Sequence, residues 1–265
     1  MTRSIDDLLA LMRRLRDPER GCPWDREQTF QSLVKHTLEE AYEVADAIER
    51  EALSDLPDEL GDLLFQVVFH AQVGEEAGEF CFSDIVSRLH DKLVRRHPHL
   101  FAAAEVSDAA AQALAWERIK AEERATRHTA DTAPSELDDL PVALPALTRA
   151  VKLQKRASRV GFDWSTAGPV LDKIQEELDE LREVVADPAA HAAQEEELGD
   201  LIFAVVNLAR HLGVDPEAAT RSANRKFERR FRYVEDELRR SGKTPAESDL
   251  QEMDALWDRA KSLGL

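Results

Sequence analysis

Apolar residues recur along this chain every three or four positions, and nowhere alternate with strand period over a useful length. The pattern predicts an all-α protein. A first helix is expected over 4–16, stopped by Asp17-Pro18-Glu19-Arg20-Gly21. A loop through Pro23 and Trp24 leads into a helix over about 28–50, and Ser54 to Pro57 opens another over about 55–77. Helices over 83–96 and about 107–126 follow. Three prolines and small polar residues between Thr126 and Pro145 then mark a linker. Beyond it, helices are expected at 146–159, 168–186, 192–212, about 215–240 and about 248–262. The chain thus divides into a helical domain over 1–125, a linker over 126–145 and a second helical domain over 146–265.

Two helices in each half have a distinctive pattern. Leu171, Ile174, Leu178, Leu181 and Val185 form an apolar stripe, and Val34, Thr37, Ala41, Val44 and Ile48 hold the same positions in the first half. The helices that follow them carry Leu63 to Phe69 and Leu201 to Val206. Apolar on nearly every side, these partner helices are expected to be buried.

On those four helices the same acidic pattern is written twice. Glu40-Ala-Tyr-Glu43 is followed by Glu59-Leu-Gly-Asp62, and Glu177-Leu-Asp-Glu180 by Glu197-Leu-Gly-Asp200. From the first Glu to the third is 19 residues in one copy and 20 in the other. Residues three apart share a helix face, so each ExxE can look toward the neighbouring helix from beside its stripe. Glu59, Asp62, Glu197 and Asp200 are read as lying in the first turns of the partner helices, where the helix dipole favours negative charge. Gly61 and Gly199 lie between these acids, where a missing side chain lets helices or a ligand approach. Four carboxylates brought together repel one another unless a cation sits among them. All-oxygen ligands suit Mg²⁺ or Mn²⁺ better than zinc. No ExxH occurs at these sites, which leaves a ferritin-like di-iron arrangement without support.

Other words repeat as well. Gly21-Cys-Pro-Trp24 matches Gly161-Phe-Asp-Trp164, Lys92 and Arg96 match Lys226 and Arg230, and Trp116 matches Trp257. The halves read as diverged copies of one helical domain. The basic pairs are either solvated helix surface or complements to substrate phosphate oxygens. Trp116 and Trp257 are either core anchors or base-stacking surfaces.

The formal charge of −18 argues against a nucleic-acid polymer or an anionic membrane as partner. No stretch approaches the ~18 apolar residues of a membrane span, and Cys22 and Cys81 form no disulfide framework. A cytoplasmic protein is expected. No Walker A or GxSxG word is present.

Gly21-Cys-Pro-Trp-Asp25, Thr37-Leu-Glu-Glu-Ala-Tyr-Glu43, Glu59 to Val68, Lys92 to Phe101, Val160 to Trp164, Glu195 to Leu201 and Asn224 to Phe231 together resemble the MazG family of nucleoside triphosphate pyrophosphohydrolases, in its two-domain form. The resemblance covers nearly the whole length. It implies tandem helical bundles that form homodimers, Mg²⁺ dependence, and cleavage of an NTP to NMP and pyrophosphate with broad specificity, in nucleotide-pool housecleaning. Carried over by position, Glu177, Glu180, Glu197 and Asp200 hold metal, with Glu40, Glu43, Glu59 and Asp62 as the first-half set. Lys173, Ile174, Gln175, Glu176 and Glu177, then Ala193, Gln194, Glu195 and Glu196, with Lys226, Arg230 and Trp257, line the nucleotide site.

The second copy is favoured as the catalytic one, because Glu195-Glu196-Glu197 adds carboxylates and Asn224 stands just before Lys226. Its catalytic set is Glu177, Glu180, Glu197, Asp200, Lys226 and Arg230. Two rival readings stay open on sequence alone. One is a helical module whose acidic faces bind a basic partner; the other is a narrower dCTP or phosphoribosyl-ATP pyrophosphohydrolase.

Overall fold

Helix α1, Ile5–Leu15, starts where Ser4 and Asp7 cap each other: the Asp7 N–H donates to Ser4 Oγ at 3.3 Å and the Ser4 N–H to Asp7 Oδ2 at 2.9 Å. The computed structural model describes residues 3–101 and 135–265, together with residues 108, 112, 115, 116, 118, 119 and 123. Every regular element among the described residues is a helix, as the periodicity predicts. The chain separates into two compact units, one ending at Glu123 and one running from residue 124 to Leu265.

In the first unit α1 is followed by α2 (Pro23–Glu27), α3 (Phe30–Glu49), α4 (Leu56–Glu76), α5 (Phe82–Arg96) and the short α6 (Pro98–Phe101). Pro23 and Trp24, expected in a loop, open the single turn of α2, where proline's fixed φ suits a helix start. The helix expected over 107–126 and residues 126–134 of the linker fall largely or wholly outside the described residues; residues 135–145 form turns. The second unit holds α7 (Ala146–Arg159), α8 (Ala167–Val184), α9 (His191–His211) and α10 (Pro216–Arg240). A 3-10 turn at Pro245–Glu247 and α11 (Leu250–Ser262) complete it.

Each unit is organised on an antiparallel helix pair, α3 with α4 and α8 with α9. The reversals are closed differently. After α3, Glu51 takes a left-handed φ of 58° and the Ala52 N–H donates to the Ala47 carbonyl at 2.9 Å, a Schellman closure made without glycine. After α8, the Gln194 side chain donates to the carbonyls of Val184 and Asp187, at 3.0 and 2.8 Å.

The core of the first unit is Met12, Leu33, Val68, Phe69 and Val73, with Leu8, Leu9, Phe30, Phe65 and Phe82 packed around it. Burying a side chain such as Phe69 contributes roughly 1.5–3 kcal/mol. Arg16, at the end of α1, lies over the Phe69 ring at 5.4 Å and makes a two-pronged pair with Glu76 of α4, at 2.9 and 2.6 Å. It also donates to the carbonyls of Asp25 and Gln28, so one guanidinium ties α2 to α1 and α4. Gly21 permits the preceding turn, because a Cβ there would collide with the Leu15 and Asp17 carbonyls. In the second unit the corresponding loop is held by Asp163, which accepts from Arg210 and from His211 at the end of α9.

Two expectations about faces are corrected. The inward side of α8 runs through Val170 and Glu177, with Leu171 and Val185 exposed, so it is turned from the apolar stripe. On α3 the buried positions are Leu33 and Ala47, while Val34 and Ile48 are exposed. Glu177 thus lies on the inward face itself, 5% exposed. The partner helices are not wholly buried either: Val68, Phe69, Ala204 and Val206 are, whereas Leu64, Val67, Ile202 and Val205 stay exposed. Among the described residues of its own unit, each pair presents one exposed apolar flank.

Arg16→Met is expected to lower the opening free energy of α4, read by amide hydrogen exchange at Phe69, by about 3 kcal/mol, since it strands a partly buried carboxylate and two carbonyls. Arg13→Met, whose nearest carboxylate contact is 3.8 Å away on Glu75, is expected to change it by less than about 0.5 kcal/mol. Equal effects from the two substitutions would show that the Arg16 network does not hold the unit together.

Candidate active site

The helix pairs bring carboxylates from separate helices together in both units. In the first, oxygens of Glu40 and Glu43 of α3 and Glu59 of α4 lie within 4.8 Å of one another. In the second, Glu177 of α8 meets Glu197 and Asp200 of α9 within the same distance. Asp62 and Glu180 stand outside these trios, so each copy has a tight set of three and a fourth acid beside it.

The copies differ in where their acids sit along the helices. Glu59 lies in the first turn of α4, as expected, whereas Asp62 lies beyond it. Glu197 and Asp200 do not lie in a first turn: α9 starts at His191, and no acid occupies its opening turn. Their backbone groups are inside the helix, and the dipole, which acts over the terminal turn, does not explain them. Among the described residues a Cβ on Gly61 or Gly199 would meet nothing within 4 Å, so of the two approaches expected there, helix or ligand, no helix makes one. These glycines leave the space beside the acids open from outside.

Crowding raises the proton affinity of the acids. Glu40 is shifted upward by burial, then by Glu43, Asp62 and Glu39. Glu59 is shifted upward by burial, Glu43, Asp62 and Asp55, against the opposing charge of Arg50. Glu180 is shifted upward by burial and by Glu177 and Glu197, against Lys173. Carboxylate oxygens alone, converging from two helices and resisting joint ionisation, are the donor set a hard divalent cation fits.

The remaining residues singled out by sequence divide by what they touch. Lys173 Nζ pairs with Glu177 Oε1 at 2.7 Å and with Glu176 Oε1 at 2.6 Å. Gln175 is exposed and donates to Asp179 at 3.0 Å, on the outer face of α8. Ile174 and Ala193 are half-buried, while Glu195 and Glu196 are exposed. Gln194 serves the α8–α9 reversal. Arg230 of α10 lies over the Trp257 ring at 5.7 Å, and its Nε donates to the Leu265 carbonyl at 2.7 Å. Phe227 packs against the same indole at 5.1 Å, and Lys226 is exposed beside it. In the first unit the Trp116 indole likewise meets Arg96, donating to its carbonyl at 2.7 Å. Sequence reasoning gave no role to Arg16, Asp25 or His36. The Pro23-Trp-Asp25 word, echoed by Asp163-Trp164, was the available signal for Asp25.

The MazG nucleotide pyrophosphohydrolase domain is matched twice, over residues 28–101 and 166–234, the two stretches that carry the helix pairs and their trios. The chain belongs to the MazG family. It is 54% identical over 261 residues to the nucleoside triphosphate pyrophosphohydrolase of Escherichia coli (strain K12), covering 97% of each chain. It is 42% identical over 257 residues to the nucleoside triphosphate pyrophosphohydrolase/pyrophosphatase MazG of Thermotoga maritima, covering 97% of this chain and 95% of that one. Both copies of the MazG domain here retain all four motif acids.

The raised carboxylates have a defined pH consequence. A folded-state value above the unfolded one contributes stability in acid that is lost as pH rises through the folded value. Glu59→Gln is therefore expected to raise the melting temperature at pH 7.5 without added metal, and the gain is expected to vanish near pH 4. Mg²⁺ is expected to stabilise wild type at pH 7.5 more than the variant. Calorimetric scans at both pH values check this, and a variant less stable at pH 7.5 would contradict the crowding.

Proposed function

We propose that this chain hydrolyses nucleoside triphosphates to nucleoside monophosphates and pyrophosphate, as a cytoplasmic, Mg²⁺-dependent enzyme with Mn²⁺ as substitute. The observation that carries the reading is the pair of carboxylate trios, each lying in a matched MazG domain. The names of the E. coli and T. maritima relatives support the same activity. They favour it over a basic-partner module, and near full-length similarity to proteins named for nucleoside triphosphates in general supports it over a narrower enzyme. No helix among the described residues is long and apolar enough to cross a membrane. Broad specificity and nucleotide-pool housecleaning are the physiological reading we favour.

The second copy is the main catalytic site in this reading. Glu177, Glu197 and Asp200 hold the divalent ion there, with Glu40, Glu43, Glu59 and Asp62 as the equivalent set in the first copy. When bound, the ion neutralises triphosphate charge and acidifies a water. Glu180, beside the trio and with its proton affinity raised, accepts the proton of the water that attacks phosphorus. Lys226 and Arg230 balance charge on the departing pyrophosphate. Trp257, with a guanidinium over its ring and Phe227 against it, offers a flat aromatic surface beside a cation, which suits a base next to its phosphates. Glu195 and Glu196 extend the acidic edge, and Ile174 and Ala193 supply apolar lining.

A homodimer belongs to the same proposal. Leu64 and Val67 on α4, and Ile202 and Val205 on α9, are exposed next to the acids of their own helices. Covering such flanks with a second copy removes them from water, and it approaches from the side that Gly61 and Gly199 leave open.

Asp200→Asn and Glu197→Gln, each made with Glu59→Gln to silence the first copy, are expected to reduce pyrophosphate release from the eight common NTPs and dNTPs by at least about 10²-fold. Their helical circular dichroism is expected to match wild type. Turnover unchanged in these variants would refute the assignment, and release of orthophosphate instead of pyrophosphate would refute the reaction. Combined Leu64→Glu and Ile202→Glu is expected to yield a monomer in sedimentation equilibrium; a dimer that persists would place the contact elsewhere.

A further inference from the structure

The two copies treat the first acid of their trios differently. Position 173 lies one helical turn before Glu177, and the matching position before Glu40 is His36. In the second copy, the Lys173 ammonium sits 2.7 Å from Glu177 Oε1, and Glu176 secures it from the other side at 2.6 Å. The carboxylate it engages is buried, whereas the ammonium is about one-third exposed. In the first copy, His36 Nδ1 faces Glu39 at 3.5 Å, and its ring stands edge-on to Trp24 at 5.7 Å. Among the described residues, no basic side chain takes beside Glu40 the place that Lys173 takes beside Glu177.

An ammonium and a divalent ion beside the same carboxylate repel each other, so each weakens the other's hold on it. A lysine on four methylenes can swing aside toward another anion; Glu176 offers a single charge, and a triphosphate offers more. A triphosphate delivered with its metal brings that anion.

We propose that Lys173 is a tethered competitor for the divalent ion, so that the second copy takes its ion more tightly together with a triphosphate, which draws the ammonium off Glu177. The first copy, with His36 in that position, takes its ion without nucleotide. The inference rests on the trios being the divalent-ion sites, and it adds an order of events that this assignment does not contain. It makes Lys173 a positioning residue that couples metal and nucleotide binding: what the ion gains from nucleotide, nucleotide gains from the ion.

The test follows free Mn²⁺ by electron paramagnetic resonance on the full chain. Glu40→Gln and Glu59→Gln remove the first copy, and Lys173→Met is added to that background. Without nucleotide, Lys173→Met is expected to tighten Mn²⁺ binding by about tenfold or more, because it removes a positive charge at contact distance. The further gain given by a non-hydrolysable triphosphate analogue is expected to shrink. In the reverse background, Glu177→Gln with Asp200→Asn, His36→Lys is expected to weaken the first site.

Mn²⁺ affinity unchanged by Lys173→Met, with binding intact, would overturn the proposal and leave the site assignment standing. No binding at the second copy even with analogue present would overturn both. Circular dichroism confirms that each variant keeps its helices.

Discussion

Like charges gathered from separate helices are the constraint on which this structure turns. Each trio holds three carboxylates within 4.8 Å, a spacing at which like charges repel unless positive charge is supplied. The helix pairs are what keep them there. Core contacts that set Leu33 of α3 with Val68 and Phe69 of α4 oppose the repulsion that would splay the pair, and the Arg16 bracket fixes α4 to α1 and α2. The second unit opposes it partly by chemistry: Lys173 lies against Glu177, and among its acids the upward shift falls on Glu180.

Much of the fold was legible because helices announce themselves through period. The helix over 146–159 coincides with its expectation, and the others begin and end within two residues of theirs among the described elements. The faces were less legible. An apolar stripe drawn through Leu171 and Leu178 runs beside Glu177, yet α8 buries Glu177 and Val170 and exposes Leu171. A carboxylate turned inward counts as polar in any pattern, so periodicity steers around an acid such as Glu177 that the fold places inside. Exposed apolar flanks mislead in the same way. Ile202 and Val205 read as core because their composition fits a surface that something covers, without saying whether their own chain does so.

The acids themselves were legible from duplication: one ExxE is common on helices, while two matched sets on paired helices are not. Which three of the four converge was not legible, because that depends on side-chain direction after the reversal. Nor was the use of Gln194, placed beside the nucleotide by resemblance. Its amide is engaged with the Val184 and Asp187 carbonyls, a contact that needs the turn already formed.

The placement of the acids along their helices carries a last consequence. Glu197 and Asp200 project from the interior of α9, whereas Glu59 stands at the opening turn of α4, and neither helix has a side-chain bond at its cap. Duplication has thus left one chain with two acidic trios that draw on different depths of their helices, so the two copies are not interchangeable frames.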